Sequence, residues 1–371
     1  MKFTCEKLQL VSAVSVASRT VAIKSSIPGL EGLHIRAGAR LTLTGYNLET
    51  GITVCVDADI SESGVAVFPA RLFFDIIRKL PDDVVSVSMA EDYKVTVQCG
   101  ISRFTFTAMS AEDYPELPDV DSKKGIRLPQ QELKAMIAGT LFAASDSQIR
   151  PIHTGISFEV EKTLIRGIAV DGYRLAMRVY PLPEGENDRD FQFVVPSSGL
   201  RELEKILEDT EEECEFFLGP KHILYHVGDA TLVCRILEGD FLDWRRVVPQ
   251  VNPIRMVADV GELSRSIDRV NLVISEKMKS PMRCLFGNGI AYFQAASTIG
   301  TANDSCTIEG DGGELEIGFN CKFLLDALSA IPDEKCTLEF INGLSPLVMN
   351  PIDGSKRFSY MVLPVRLKAE E

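Results

Sequence analysis

Three short helix-like segments, each preceded by an extended run and followed by an alternating one, recur at almost constant spacing, and that repeat limits what the chain can fold into. The first, Phe68 to Pro81 (FPARLFFDIIRKLP), places Leu72, Phe73, Ile76, Ile77 and Leu80 on one side and Arg71, Asp75, Arg78 and Lys79 on the other. That is the pattern of an amphipathic helix with a basic outer face. Pro69 suits a helix start, where its missing N–H costs nothing, and Pro81 stops further winding. Val84 to Met89 then alternates as a strand does. The unit returns at Val195-Pro196, leading into Leu200, Leu203, Ile206 and Leu207, and at Phe319-Asn320, leading into Leu324, Ala327, Leu328 and Ile331. Pro196 lies 127 positions beyond Pro69 and Asn320 lies 124 beyond Pro196, which predicts three copies of one module.

A chain of 371 residues exceeds what one hydrophobic core supports, and thirds of it match the usual domain size of about 100–150 residues. No run of about 18 apolar residues is present, and Met1-Lys2-Phe3-Thr4 opens straight into patterned sequence, so a cytoplasmic protein is expected. The nine cysteines are scattered through strand-like runs such as Thr53-Val54-Cys55-Val56, with no CxxC pair. Reduced, buried thiols are therefore expected, with neither a metal site nor a disulfide framework.

Each module reads as two half-units, a helix followed by strands, twice over. In the first module the opening helix carries Leu8, Leu10, Val11, Val14 and Ala17 as its apolar stripe; its counterparts are Gln130 to Phe142 and Glu262 to Ile274. Strands are expected over 40–44, 52–60, 84–89, 93–98 and 103–108. Gly287-Asn288-Gly289, Gly228-Asp229 and Asp353-Gly354 are hairpin signals. The fold class is thus α+β: three repeated domains, 1–122, 123–252 and 253–371, each of antiparallel sheet with two helices on one face. The boundaries fall in the polar stretches DVDSKKG and QVNP.

The formal charge is −14, yet the six helical windows hold 11 Lys and Arg against 7 Asp and Glu. Either the helix surfaces are simply solvated, or they line a shared surface facing a polyanion while strands and loops form an acidic exterior. Catalytic signatures are missing: no GxxxxGK[ST], GxGxxG, HExxH or GxSxG occurs. His222 and His226 sit in a strand-like run and read as surface residues. No catalytic residue, metal or cofactor is assigned, and the protein is not expected to be an enzyme. What stands out instead is apolar and basic residues in loops: Asp171-Gly172-Tyr173-Arg174-Leu175, the Phe241 to Pro249 segment with the single tryptophan, and a terminus hydrophobic through Tyr360 to Leu367. Together they suggest an apolar groove for a partner peptide, rimmed by arginines.

MKFTCE, FPARLFFDII, DGYRL, FLDWRRVVP, IGFN and LPVRL resemble, in this order and across essentially the whole chain, the bacterial sliding clamp family, the beta subunit of DNA polymerase III. The resemblance implies a processivity factor: a head-to-tail homodimer whose six domains close a ring round duplex DNA, with the helices lining the pore and contacting phosphates only. It also implies tethering of the replicative polymerase alpha subunit, the clamp loader and other proteins bearing a clamp-binding motif. Carried onto this sequence, the peptide groove comprises Arg150, Thr154, Gly155, Asp171, Gly172, Tyr173, Arg174 and Leu175 from the central module. Leu242, Arg246, Val247, Met361, Leu363, Pro364, Val365 and Arg366 complete it. Lys24 is the implied DNA contact, and charge adds Arg19, Arg71, Arg78, Lys79, Lys134, Arg201, Arg265 and Arg269. The dimer seam joins Arg103, Phe104 and Phe106 to Leu272 and Val273 of the other copy.

The chain also departs from the family pattern. Many members have DGHRL, FPDYRRV and MPMRL, so Tyr173, Leu242, Trp244, Leu363 and Val365 reshape the groove. Pro151 and Ile152 replace aromatic residues, Ser197-Ser198 replaces a basic pair, and Thr298 to Ser305 keeps only Asp304 of an acidic seam segment. Lys368 to Glu371 extends past the usual end. A specialised second clamp for repair or inhibitor resistance, and a monomeric peptide-binding scaffold without DNA binding, are the alternatives.

Overall fold

The computed structural model describes residues 1–274, 281–310 and 313–367; the Lys368 to Glu371 extension lies outside them. Six α-helices occur among the described residues: α1 (Lys7–Ala17), α2 (Ala70–Lys79), α3 (Gln130–Leu141), α4 (Ser197–Glu204), α5 (Val260–Asn271) and α6 (Cys321–Ser329). α1, α3 and α5 each follow a strand directly, and α2, α4 and α6 each sit between two strands, so the expected half-unit recurs six times. Every strand pairing is antiparallel, as the hairpin signals imply. Asn288 and Gly289 both have positive φ, 53° and 74°, the conformation that a tight two-residue hairpin turn demands.

In two of the helices a leucine of the expected stripe falls outside the buried arc. In α1 the buried set is Leu10, Ala13, Val14 and Ala17, spaced i, i+3, i+4, i+7, which leaves Leu8 67% exposed. In α2, Phe73, Ile76 and Ile77 are buried and Leu80 just beyond them, while Leu72 is 46% exposed. At 100° per residue neither leucine can share the arc that the others cover. Side-chain oxygens cap the third module's helices: Asp259 accepts from the Glu262 amide at 2.8 Å and Asn320 from the Lys322 amide at 3.0 Å.

The chain forms two compact units, Met1–Lys134 with Ser198–Ile236, and Ala135–Ser197 with Leu237–Glu371. The first contains a five-stranded sheet, Asp59–Glu62, Lys2–Glu6, Val84–Met89, Lys94–Cys99 and Ser102–Thr107 in spatial order. It also contains an eight-stranded sheet in which Ala230–Arg235 of the central module pairs with Thr50–Val56 of the first. α1 packs on α2 and on this larger sheet, and Phe68, Phe73 and Phe106 meet in the core, with edge-on ring pairs at 5.2 and 5.4 Å. In the second unit a single sheet of twelve strands runs through both modules, joined where Arg174–Pro181 pairs with Phe358–Val362. There α5 packs on α6 and on Thr301–Glu309. Half of the central module's strands thus belong to each unit. All nine cysteines are free thiols, seven of them buried.

Candidate functional site

In the second unit, strand alternation points Ile168 and Val170, Leu175 and Met177, and Met361 and Val348 to one face of the twelve-stranded sheet, where they form one buried apolar cluster. Register makes part of it a straight row: Val170 opposes Leu175, Leu175 opposes Met361, and Met361 opposes Val348, so four strands contribute one residue each. Phe241, Leu242, Trp244, Val248 and Leu363 pack against this row from two loop segments. Of the expected groove residues, Leu175, Leu242, Met361 and Leu363 therefore meet in one cluster.

The DGYRL turn sits at one end of the row. Gly172 has φ +90°, which a side chain would strain, and the Asp171 carboxylate closes the turn by accepting from the Tyr173 and Arg174 amides at 2.9 and 3.1 Å. Its other oxygen accepts from Arg174 Nε at 2.9 Å, and Arg174 Nη1 donates to Asp326 at 2.6 Å. The guanidinium also lies over Phe323 at 4.5 Å and over Phe142 at 5.4 Å. Arg174 is thus a buried scaffold residue, fully engaged. Tyr173, 63% exposed and stacked on Phe323 at 5.9 Å, presents its ring outward. The Leu363 amide donates to the Tyr173 carbonyl at 2.8 Å, tying the terminal segment to this turn.

Beyond Leu363, the Val365 amide donates to Gly318 at 2.8 Å, while Val365 and Arg366 are exposed and Pro364 half-buried. A short 3₁₀ turn, Trp244–Arg246, carries the opposite wall; Val247 is half-exposed, and Arg246 projects outward, paired with Asp243 at 3.1 Å. Arg150, Thr154 and Gly155 are not members of the cluster, although the ring of their neighbour His153 stands edge-on to Phe241 at 5.3 Å. The Thr154 hydroxyl is turned inward, donating to the Pro151 carbonyl at 2.7 Å. Gly155 is set by strand pairing, since a Cβ there would come within 2.2 Å of the Val195 carbonyl oxygen. Phe241 and Val248 lie in the Phe241 to Pro249 segment that the sequence marks out, whereas Ile168, Val170, Met177, Val348 and Phe323 were missed. The alternation of Ile168 with Val170 was a usable signal; Phe323, on α6, offered none.

The basic candidates divide into two classes. Arg19 lies 3.7 Å from Glu202, Arg78 3.4 Å from Asp75 and Lys134 2.8 Å from Asp209, while Arg269 makes a two-pronged pair with Asp304. That pair holds the Asp304 carboxyl down at about 2. Lys24, Arg71, Lys79, Arg201 and Arg265 are exposed and form no ion pair with a described residue. At the expected seam, Arg103 is exposed, Phe104 is 41% exposed and Leu272 79%, with Val273 half-buried. Phe106 instead belongs to the first unit's own core. His226 is exposed, with Nδ1 2.9 Å from the Thr231 hydroxyl.

Three family models match in succession: the DNA polymerase III beta subunit N-terminal domain over residues 1–118, its central domain over 127–243 and its C-terminal domain over 245–366. A curated relative, the beta sliding clamp of Staphylococcus aureus, is 30% identical over 377 aligned positions covering 99% of both chains. Among solved structures, the DNA polymerase sliding clamp of Bacillus subtilis is 28% identical with a TM-score of 0.93, covering 99% of this chain and all of that one. The DNA polymerase III subunit beta of Pseudomonas aeruginosa is 29% identical at the same score and coverage. With three clamp domains matched in succession over nearly its whole length, the chain belongs to the DNA polymerase III beta subunit family, the beta sliding clamps, which are non-enzymatic processivity factors of DNA replication.

Proposed function

We propose that two copies of this chain close head to tail into a ring that encircles duplex DNA, slides on it without reading sequence, and tethers the replicative polymerase. The observation that carries the closure is a pair of open sheet edges. Ser102–Thr107 ends the five-stranded sheet and pairs along one side only. Thr301–Glu309 is paired along most of its length to Ile290–Ala296, but on its other side, among the described residues, only Ile308 and Glu309 find strand partners. Unpaired edges join readily to other strands, and Phe104 and Leu272 offer apolar surface beside them. The unpaired cations Lys24, Arg71, Lys79, Arg201 and Arg265 supply diffuse, phosphate-directed attraction, which holds DNA without fixing a register.

The apolar residues that stand over the buried row, Tyr173, Leu242, Trp244, Val247 and Leu363, are the docking surface for leucine and aromatic side chains of a short motif on the polymerase alpha subunit, the clamp loader and other clamp-motif proteins. Tethering there makes polymerase rebinding a local event at high effective concentration. No helix among the described residues is long and apolar enough to cross a membrane, and a cytoplasmic location belongs to the same proposal. The domain limits 1–122, 123–252 and 253–371 are part of the same reading.

Retention on nicked circular DNA after loading, compared with the same DNA linearised, tests it. Persistence on the circle with rapid loss from free ends is expected. Equal loss from both would reject a closed ring, and equal retention would mean ordinary affinity binding.

A further inference from the structure

Trp244 is held in place by a buried carboxylate outside the apolar row. Glu159, on the strand Gly155–Val160, opposes Arg166 on Leu164–Val170, and Arg166 shares its face with Ile168 and Val170 of the cluster. The Glu159 side chain is largely buried and accepts from four donors. Trp244 Nε1 at 3.1 Å and Arg245 Nη1 at 3.2 Å reach one oxygen; Arg245 Nη2 at 3.0 Å and Arg166 Nη1 at 3.1 Å reach the other. Both guanidinium groups lie over the indole, Arg245 at 4.6 Å and Arg166 at 5.7 Å, and Glu161 balances the second positive charge. The indole is therefore fixed by its N–H and by its ring face at once.

The backbone transmits that fixation. The Trp244 carbonyl accepts from both the Val247 and Val248 amides, at 3.1 and 3.0 Å, and Leu242 stands two residues before it. Between Arg235 and Ile254 the only regular element is the three-residue turn Trp244–Arg246, so side-chain anchors decide where this wall stands. Glu159 itself is not a member of the apolar row.

We propose that Glu159 is a positioning residue for peptide binding: through Trp244 it preorganises the wall formed by Leu242, Val247 and Val248. The proposal rests on the docking reading above. A wall that must be re-ordered on binding costs affinity in proportion to the freedom it loses. Removing the anchor is therefore expected to weaken binding about tenfold, the scale of one charge-assisted hydrogen-bonded anchor.

The test uses the full chain and a fluorescein-labelled synthetic peptide carrying a Leu-Phe pair, with affinity read by anisotropy. Emission of the sole tryptophan and the melting temperature are recorded in parallel. Glu159→Ala should bind about tenfold more weakly, with red-shifted emission. Glu159→Gln, which keeps an acceptor for the indole N–H and much the same volume, should recover most of both; if the alanine variant does not fold, Glu159→Leu, which keeps the volume but accepts no hydrogen bond, carries the test and should bind about tenfold more weakly. Trp244→Phe should weaken binding similarly, and adding Glu159→Ala to it should weaken binding no further. Native affinity in Glu159→Ala, or in Glu159→Leu where the alanine variant does not fold, or fully additive losses in the double variant, would overturn the role. Failure of the unaltered chain to bind the peptide would reject the docking reading and this role with it, whereas binding by the unaltered chain with no change in the variants rejects this role alone.

Discussion

Arg174 is about nine-tenths out of solvent and spends its donors on Asp171 and Asp326, with Phe323 and Phe142 against its plane. Removing one partner of such a set strands the others. Arg174→Ala should cost about 3 kcal/mol in urea unfolding, and Arg174→Lys should recover little, since a single ammonium nitrogen lacks the rigid, spaced donors that reach the two carboxylates and the planar face that lies on the ring. A loss below about 1 kcal/mol would mean that water reaches those carboxylates. The thiols offer a second residue-scale test. Burial pushes Cys5 and Cys234 up to about 11 and Cys214, Cys321 and Cys336 to about 12; it also raises Cys99 and Cys284, and half-buried Cys306 rises to about 11. A disulfide-exchange reagent at pH 8 should therefore titrate Cys55 rapidly in the native chain and all nine thiols in denaturant. Because these folded-state values lie above the ordinary thiol value of about 8.5, their stabilising effect is complete below that pH and lost above it, toward 11–12. Melting should fall between pH 8 and pH 10, less so in a Cys214→Ala variant. That the thiols are buried and free was legible from their place in alternating runs; that Arg174 is a scaffold residue was not, because Phe142, Phe323 and Asp326 are far from it in sequence.

At the scale of elements, period and turn chemistry carried most of the fold. The strand Val84–Met89 lies where alternation places it, and α2, α4 and α6 follow their repeat, because helix and strand periods are local properties of the chain. Leu8 and Leu72 show where local reading stops: a leucine one position off the arc counts as apolar in sequence yet faces solvent in the fold. The apolar row shows the larger limit. Val170, Leu175, Met361 and Val348 are neighbours through strand register, and register between segments nearly two hundred residues apart has no local signature. One tie between elements carries its own test. Arg269 on α5 grips Asp304 on Thr301–Glu309, and the carboxyl is held down at about 2. A depressed carboxylate contributes stability above its unfolded value of about 3.9 and loses it as pH falls through the folded value. Asp304→Asn should therefore lower the melting temperature slightly at pH 6 and by much less at pH 2, where about half of the carboxyl is already protonated. The effect is small because Arg269 is more than half exposed to solvent. Equal differences at both pH values would show that the residue acts by packing alone.

For the whole molecule, charge decides between the candidate surfaces. Arg78 and Lys134 already face carboxylates of their own chain, whereas Arg71, Lys79 and Arg201 are exposed without an ion-pair partner among the described residues. Replacing those three by glutamine should weaken DNA attraction and reduce the slope of log affinity against log salt by about one for each lost phosphate contact. The same change at Arg78 and Lys134 should matter less. Ring closure is expected to respond to salt in the opposite way, by hardly responding. Between Thr298 and Ser305 the only carboxylate is Asp304, and Arg269 occupies it, so in the proposed ring Arg103 of the second copy would meet no unengaged acid in that segment. What remains at the seam is Phe104, Leu272 and two open strand edges, which are apolar and backbone contacts that screening does not weaken. The dimer dissociation constant, followed by sedimentation, should change by less than about threefold between 0.1 and 1 M salt. Leu272→Asp should yield a species of 40.9 kDa at both concentrations. Tenfold weakening of the unaltered dimer by salt would instead place ion pairs at its centre, and a dimer that survives Leu272→Asp would move the seam elsewhere.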